Sequence, residues 1–273
     1  MQNSMKTLNH IFWIFLFAVA ISACSKDSEP CDPNDEESPC YAGVSGHGKF
    51  LLVEVKQNGA NHAKYEYDQQ NRTTVIYTYD PDGSLDLTTM YSYANGDFPK
   101  TVTAKSKSGD IVVEEYTFGN DGRPVSMVQT ASGDGSTVAV DYQFSYSKNT
   151  MIETIIPREE DAIIIMNTYT YDDNGNLLSI VSTGDGQWVI TVEQGNFDDK
   201  IAMGYYGNPM AWKYPGKNNH RTLKATDKML GVTADYVYKY TYNAAGHPIK
   251  TEVYNKGSDV VVNTFTQRYI PAK

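Results

Sequence analysis

One short pattern recurs along this chain: an aromatic residue, any residue, a second aromatic, then a polar turn ending in Gly or Asn. It stands at Tyr65-Glu-Tyr67 before Asn71, at Tyr77-Thr-Tyr79 before Gly83, at Tyr91-Ser-Tyr93 before Gly96, and at Tyr116-Thr-Phe118 before Gly122. It returns at Phe144-Ser-Tyr146 before Asn149, at Tyr169-Thr-Tyr171 before Gly175, and at Tyr240-Thr-Tyr242 before Gly246. Residues i and i+2 share one face of a β-strand, so the paired rings point the same way. The Asp/Asn-Gly ending supplies the positive φ that lets the chain reverse. Each copy is therefore a strand running into a hairpin, with the return strand beginning after the Gly.

The two-residue rhythm extends beyond these copies. Val138, Val140, Tyr142, Phe144 and Tyr146 fall on one face, and Tyr236, Tyr238, Tyr240 and Tyr242 do the same later. This is period two rather than 3.6, and about fifteen such runs lie between Phe50 and Tyr269, each bounded by Gly, Asn, Asp or Pro. The expected fold is all-β: an antiparallel up-and-down meander, curled or barrel-like, with one aromatic-rich face. Tyr is unusually common, 21 residues against 9 Phe. Its ring is apolar and its hydroxyl wants a partner, which points to half-exposed β surface rather than a deep core.

The copies resemble the YD repeats of Rhs-type bacterial surface proteins. They are more similar still to single-domain Bacteroidetes lipoproteins of unknown function described as having a porin-like β fold. The likeness runs from Tyr65 to Pro248. Only the units at Tyr79 and Tyr171 keep Tyr-x-Tyr-Asp with a following Gly; Gly119, Ser147 and Asn243 replace the Asp elsewhere. Against the long YD-repeat toxins, the chain is too short to build a closed shell and carries no appended toxin domain, so their delivery role is not carried over.

The N-terminus bears on location. Lys6 precedes an apolar run from Ile11 to Ala23. A helix of that length reaches only ~20 Å, short of a bilayer core of about 30 Å, and reads as a secretory signal peptide over residues 1–23. Ile21-Ser22-Ala23-Cys24 resembles the lipobox of bacterial lipoproteins. That resemblance implies cleavage before Cys24 and lipid on its thiol and new amine, giving an outer-membrane anchor. The competing reading is an ordinary signal peptide followed by a chance Cys. A Lys26-Asp-Ser-Glu29 run resembles the export signal of surface lipoproteins in Bacteroidetes, which face the exterior; a solvated spacer explains it too. Residues 24–48 are acidic and Pro-bearing, an expected flexible tether. An oxidising compartment permits a Cys31–Cys40 disulfide. Residues 49–273 form the expected single β domain.

The net charge is −10, and losing Lys6 with the signal peptide makes it −11. That balance argues against nucleic acid as a partner, since phosphate binding relies on Lys and Arg. The rhythm breaks between Gly195 and Gly231, where Tyr205, Tyr206, Trp212 and Tyr214 gather among Pro209 and Pro215. Asp-Lys, Asn-Pro and Lys-Asn-Asn runs there are similar to ones in the same lipoproteins. This stretch is expected to be a long loop, with room for a short helix. Its aromatic residues either plug an open end of the sheet or form a ligand site.

No metal, cofactor or catalytic motif emerges. His47, His62, His220 and His247 have no ligand spacing and are expected at turns or on the surface. Asp172-Asp-Asn174-Gly-Asn176 is better explained as a hairpin turn than as a Ca²⁺ loop. Ser145 and Lys148 match a Ser/Lys spacing without its partner motifs. Carboxylates such as Glu114, Glu115, Glu159 and Glu160 are left as solvated edges. The leading expectation is a lipid-anchored surface protein that binds a glycan or another protein, or acts as a scaffold. The alternatives are a two-carboxylate hydrolase and a purely structural envelope component.

Overall fold

The computed structural model describes residues 49–94, 96–184 and 188–273. The lipobox cysteine, the tether, Cys31, Cys40 and His47 lie outside these residues. Sixteen strands follow in order: β1 (Phe50–Gln57), β2 (Ala60–Tyr67), β3 (Thr73–Tyr79), β4 (Leu85–Ser92), β5 (Thr101–Ser106), β6 (Ile111–Phe118), β7 (Pro124–Gly133) and β8 (Ser136–Tyr146). Then come β9 (Thr150–Pro157), β10 (Ile165–Tyr171), β11 (Leu177–Gly184), β12 (Trp188–Gly195), β13 (Thr222–Asp227), β14 (Val232–Tyr242), β15 (Pro248–Asn255) and β16 (Val261–Pro271). Each pairs antiparallel with its sequence neighbours, and β1 pairs with β16 from Phe50↔Pro271 to Gln57↔Phe265, closing a barrel. The all-β meander is as expected. Of the curled and barrel-like forms expected, the sheet takes the closed barrel: twisted strands curl it, and sixteen of them bring its two edges into register. Closure leaves no free sheet edge.

The repeat has one local geometry. At Asp172–Asn176 the Asp172 amide donates to the Asn176 carbonyl at 2.9 Å and the Gly175 amide to the Asp172 carbonyl at 3.0 Å. Gly175 has φ +80°, the left-handed conformation that glycine adopts without a Cβ clash. The same pair of bonds recurs at Asp68–Arg72, Asp80–Ser84, Gly119–Arg123 and Asn243–His247. In all five the ladder slips by one residue at the second aromatic, after Glu66, Thr78, Thr117, Thr170 and Thr241. This is a type I turn closed by a glycine-type bulge. The Asp of the motif has a direct job. Asp172 Oδ1 accepts the Asn174 and Asn176 amides at 2.9 and 2.8 Å, pinning the turn from inside. Asp68 and Asn243 do the same. Where Gly119 stands instead, Asp121 takes the Arg123 amide.

Hairpins after even-numbered strands lie at one end of the barrel and those after odd-numbered strands at the other. Six of the seven aromatic pairs close β2, β4, β6, β8, β10 and β14, so they ring one end. Of their twelve rings, Tyr116, Phe144, Tyr169 and Tyr171 are buried in the barrel and the other eight are half-buried, so the half-exposed surface expected of so many tyrosines is joined by a buried aromatic core. The pair at Tyr77 and Tyr79 closes an odd strand and faces outward. Tyr77 donates to Glu66 at 3.1 Å, and Lys64 lies over the Tyr79 ring.

Candidate functional site

β12 is the one internal even strand without an aromatic pair, and its hairpin is replaced by residues 196–221. This segment is shorter than the irregular stretch expected, because β13 falls inside 195–231. It contains no helix; one turn, with the Tyr214 amide on the Met210 carbonyl, is the nearest approach.

The segment enters the barrel mouth and touches wall strands all round. Trp212 is 7% exposed, its ring edge-on to Phe144 at 4.9 Å and to Tyr116 at 6.0 Å. Thr73 donates to the Gly207 carbonyl at 2.6 Å, and Tyr171 to the Lys213 carbonyl at 2.7 Å. Tyr206 packs on His247, and Gln267 reaches Met203 Sδ at 3.5 Å. At Gly207 a Cβ would stand 2.7 Å from the Tyr67 ring, and φ is +75°; only glycine lets the backbone approach this closely. The segment is a plug at the end that the aromatic pairs encircle.

A buried ion pair latches it. Lys213 Nζ lies 2.8 Å from Glu153 Oε1 on β9 and 5.0 Å from the Tyr169 ring centre. Glu153 Oε2 accepts from Asn167 Nδ2 at 2.8 Å and Tyr169 OH at 2.9 Å. Burial alone would push the Glu153 carboxyl up. The Lys213 charge and hydrogen bond, with those of Asn167 and Tyr169, outweigh it and hold the carboxyl below its usual range. Burial works against the Lys213 charge as well, and Glu153 reverses that, so the pair is ionised. Of these partners only Tyr169 was singled out in the sequence, as half of an aromatic pair and not for this role. The available signal was a carboxylate at Glu153 in phase with the buried Met151 and Tyr169 positions of its ladder.

Of the expected site residues, Trp212 and Tyr214 are committed to packing inside the plug, Tyr214 edge-on to Tyr169 at 6.3 Å. Tyr205 and Tyr206 form a ring pair 5.1 Å apart, each half-buried. Glu114 and Glu115 alternate faces and do not pair. Glu114 points inward and accepts from Tyr116 OH at 2.7 Å and Gln129 at 3.1 Å. Glu159 and Glu160 lie on the exposed β9–β10 loop. Two of the histidines are not surface groups: His247 is 1% exposed, against Phe50, Tyr206 and Tyr269. His220 packs edge-on to Tyr238 at 4.8 Å, and burial pulls its pKa down to about 4 against the pull of Asp198. The Asp172 turn is a hairpin, as expected.

The outer wall is charged along its middle. Arg268 sits 3.6 Å from Glu54, Lys250 2.9 Å from Glu252, and Lys239 lies over the Tyr254 ring at 4.2 Å. Arg158 forks onto Asp141 at 2.6 and 2.7 Å. Facing inward are the apolar Val55, Ala63, Met127, Met151 and Val253 together with the polar Gln129, Glu153, Asn167, Asn263 and Gln267, all buried. A membrane-spanning barrel keeps its outward band apolar, whereas this wall carries charge on its outside.

The class of protein is thus a closed sixteen-strand antiparallel barrel, plugged at one end by its own chain. Among solved structures it is similar to a porin-like protein from Bacteroides vulgatus ATCC 8482, with TM-score 0.51 and 11% identity over 82% of this chain and 100% of that one. A porin-like protein from Bacteroides uniformis ATCC 8492 aligns with TM-score 0.41 and 17% identity over 81% of this chain and 98% of that one. At such identities the likeness speaks to the fold alone, and it rests on the first of the two. No family model matches the sequence, and no curated protein matches it.

Proposed function

We propose that this chain is an outer-membrane envelope protein held by lipid on Cys24, with its barrel standing in water, facing the exterior, as a binding or scaffold module. The observation that carries this reading is the sense of the wall. Each Lys or Arg facing lipid at mid-bilayer costs about 2–4 kcal/mol, and Lys64, Lys239, Lys250 and Arg268 stand on mid-wall positions of β2, β14, β15 and β16. A barrel in water needs another means of attachment. The Ile21-Ser22-Ala23-Cys24 lipobox supplies one, and the porin-like neighbour supports an envelope setting. The ligand of this reading is a glycan or a partner protein. Tyr205 and Tyr206 offer the ring surface for it, since Trp212 is spent on the plug.

Labelling with radioactive palmitate tests the anchor directly. Wild type takes label and stays with the outer membrane, whereas Cys24→Ala takes none and its barrel appears in the soluble fraction. A Cys24→Ala barrel that survives alkaline washing of the membranes would sink the reading, because the wall itself would then be in lipid. Protease added to intact cells should remove the wild-type domain. A glycan array and a pull-down compared with Tyr205→Ala/Tyr206→Ala test the ligand face.

A further inference from the structure

At three places round the plugged end an even strand runs past its last ladder pair with the strand before it. The notch between the two is bridged in one way each time. The second tyrosine of the aromatic pair donates its hydroxyl to a carbonyl near the start of the preceding strand: Tyr93 to Thr73 at 2.7 Å, Tyr146 to Pro124 at 2.8 Å and Tyr67 to Leu52 at 2.6 Å. In the first two notches the residue just before the accepting carbonyl is an arginine, and it lies over the tyrosine ring. Arg72 stands 4.3 Å from the Tyr93 ring centre and Arg123 4.1 Å from that of Tyr146. An aspartate holds each guanidinium from the side, Asp68 for Arg72 and Asp121 for Arg123, both at 2.7 Å. The unit is a tyrosine ring, a guanidinium on it and a carboxylate beside it, in which cation–π attraction and a charge-assisted hydrogen bond act together.

The third notch, between β1 and β2, differs. Leu51 precedes the Leu52 carbonyl where the others have arginine. Among the described residues no lysine or arginine lies over the Tyr67 ring; Lys49, beside the start of β1, turns to Tyr206 instead, 5.9 Å from its ring centre. The strands also part more widely here. Their last ladder pair toward this end is Glu54↔Lys64, although β1 starts at Phe50 and β2 runs on to Tyr67. Between them lies a cavity of about 320 Å³, within the range of small-ligand pockets. Tyr65 and Tyr67 line it with Leu51, Val53 and Ile270. Glu66 stands on its rim, exposed, accepting from Tyr77 OH at 3.1 Å and in no ion pair among the described residues. Asp68 on the same rim is committed to Arg72. Lys273 borders the cavity too, its main chain clasped to the Asn71 side chain at 2.9 and 3.1 Å.

We propose that this cavity binds a guanidinium group, carried by an arginine side chain or a small guanidinium compound, placed on Tyr67 and paired with Glu66. The occupant is read from the two other notches, which show what the same tyrosine frame holds when the chain supplies it. Glu66 gives the matching charge. An anion is repelled by it, and an uncharged ligand gains nothing from it. A guanidinium suits the place better than an ammonium, because its planar face stacks on a ring while its fork meets a carboxylate. The site lies apart from Tyr205 and Tyr206, and it stands or falls independently of the function proposed above.

The test uses the full chain in a neutral detergent and ligand-observed NMR, which reads weak binding. The probe is a capped pentapeptide, Gly-Gly-Arg-Gly-Gly. Saturable binding in the millimolar range is expected. The same peptide with citrulline, which keeps the shape and loses the charge, should bind about fivefold more weakly or worse, and the lysine peptide should fall between. Glu66→Gln, at an exposed side chain, should weaken the arginine peptide about threefold or more, and Tyr67→Leu should do the same. Glu115→Gln, on the outer wall of β6, should leave binding within about twofold. Thermal melts check that the Tyr67→Leu barrel persists, and Glu66→Gln keeps the test decisive if it does not. No binding by the wild type, equal binding of the arginine and citrulline peptides, or no loss in Glu66→Gln overturns the proposal. Methylguanidine names the source. A peptide that binds more tightly than methylguanidine points to an arginine on a partner chain, and equal binding points to a free guanidinium compound; each result supports the site.

Discussion

His220 shows how a single side chain in this barrel couples to pH. Its ring is held against Tyr238, Nε2 has no hydrogen-bond partner, and Tyr240 OH donates to its backbone carbonyl at 2.7 Å. Burial lowers its pKa from 6.5 to about 4, with Asp198 pulling the other way. Below pH 6.5 the unfolded chain takes up a proton that the folded chain refuses. The stability contribution is therefore complete above that pH, falls as pH drops, and stops falling once the folded imidazole also protonates near pH 4. The shift corresponds to roughly 3 kcal/mol across that window. Denaturant unfolding measured from pH 7 to 4 should show the decline, and His220→Phe, which keeps a ring on Tyr238, should remove this share of it. An unchanged slope would mean the imidazole is not refused its proton. His62 and His247 are shifted the same way by burial and add to the slope. The sequence placed these histidines at turns or on the surface because spacing carries no information about what packs over a residue. His247 does sit beside a turn, yet the plug covers it.

At the scale of elements, the hairpin repeat was legible and its phase was not. Tyr77-Thr-Tyr79 has a better motif than Tyr116-Thr-Phe118, yet it faces out because it closes an odd strand. Side-chain direction within a strand follows from alternation, but which direction is inward depends on where the strand sits in the barrel. The plug was visible as a break in rhythm and as an aromatic cluster. Its latch was not, because Glu153 and Lys213 are 60 residues apart and meet only after the barrel closes. Removing one partner of such a pair leaves the other buried and uncompensated, at a cost of about 3–5 kcal/mol. Lys213→Met should therefore lower unfolding stability by about that amount and raise proteolytic cutting within residues 196–221. The double variant Glu153→Gln/Lys213→Met should recover part of the loss. If the single variant is as stable and as resistant as wild type, the pair is not what holds the plug.

For the whole molecule, closure brings the first and last strands together, with the Ala272 amide on the Lys49 carbonyl at 2.9 Å. The ladder there is an ordinary antiparallel pair, so chain order matters less than register. A permuted chain in which a short linker joins residue 273 to residue 49, with new ends between Asp134 and Gly135 in an exposed two-residue turn, should fold cooperatively to within about 2 kcal/mol of the parent. Failure to fold would show that closure depends on β1 leading the chain. The sequence by itself determined the strands, their turns and the ring-bearing face, because period two, the Asp side chain that pins each turn and the glycine that reverses it are local properties. Only the tertiary structure decided that the sheet closes, which end the plug enters, and that the ring-bearing face becomes a lumen while charge covers the outside. Those outcomes depend on summed twist and on contacts between residues far apart in the chain, and no window of sequence contains them.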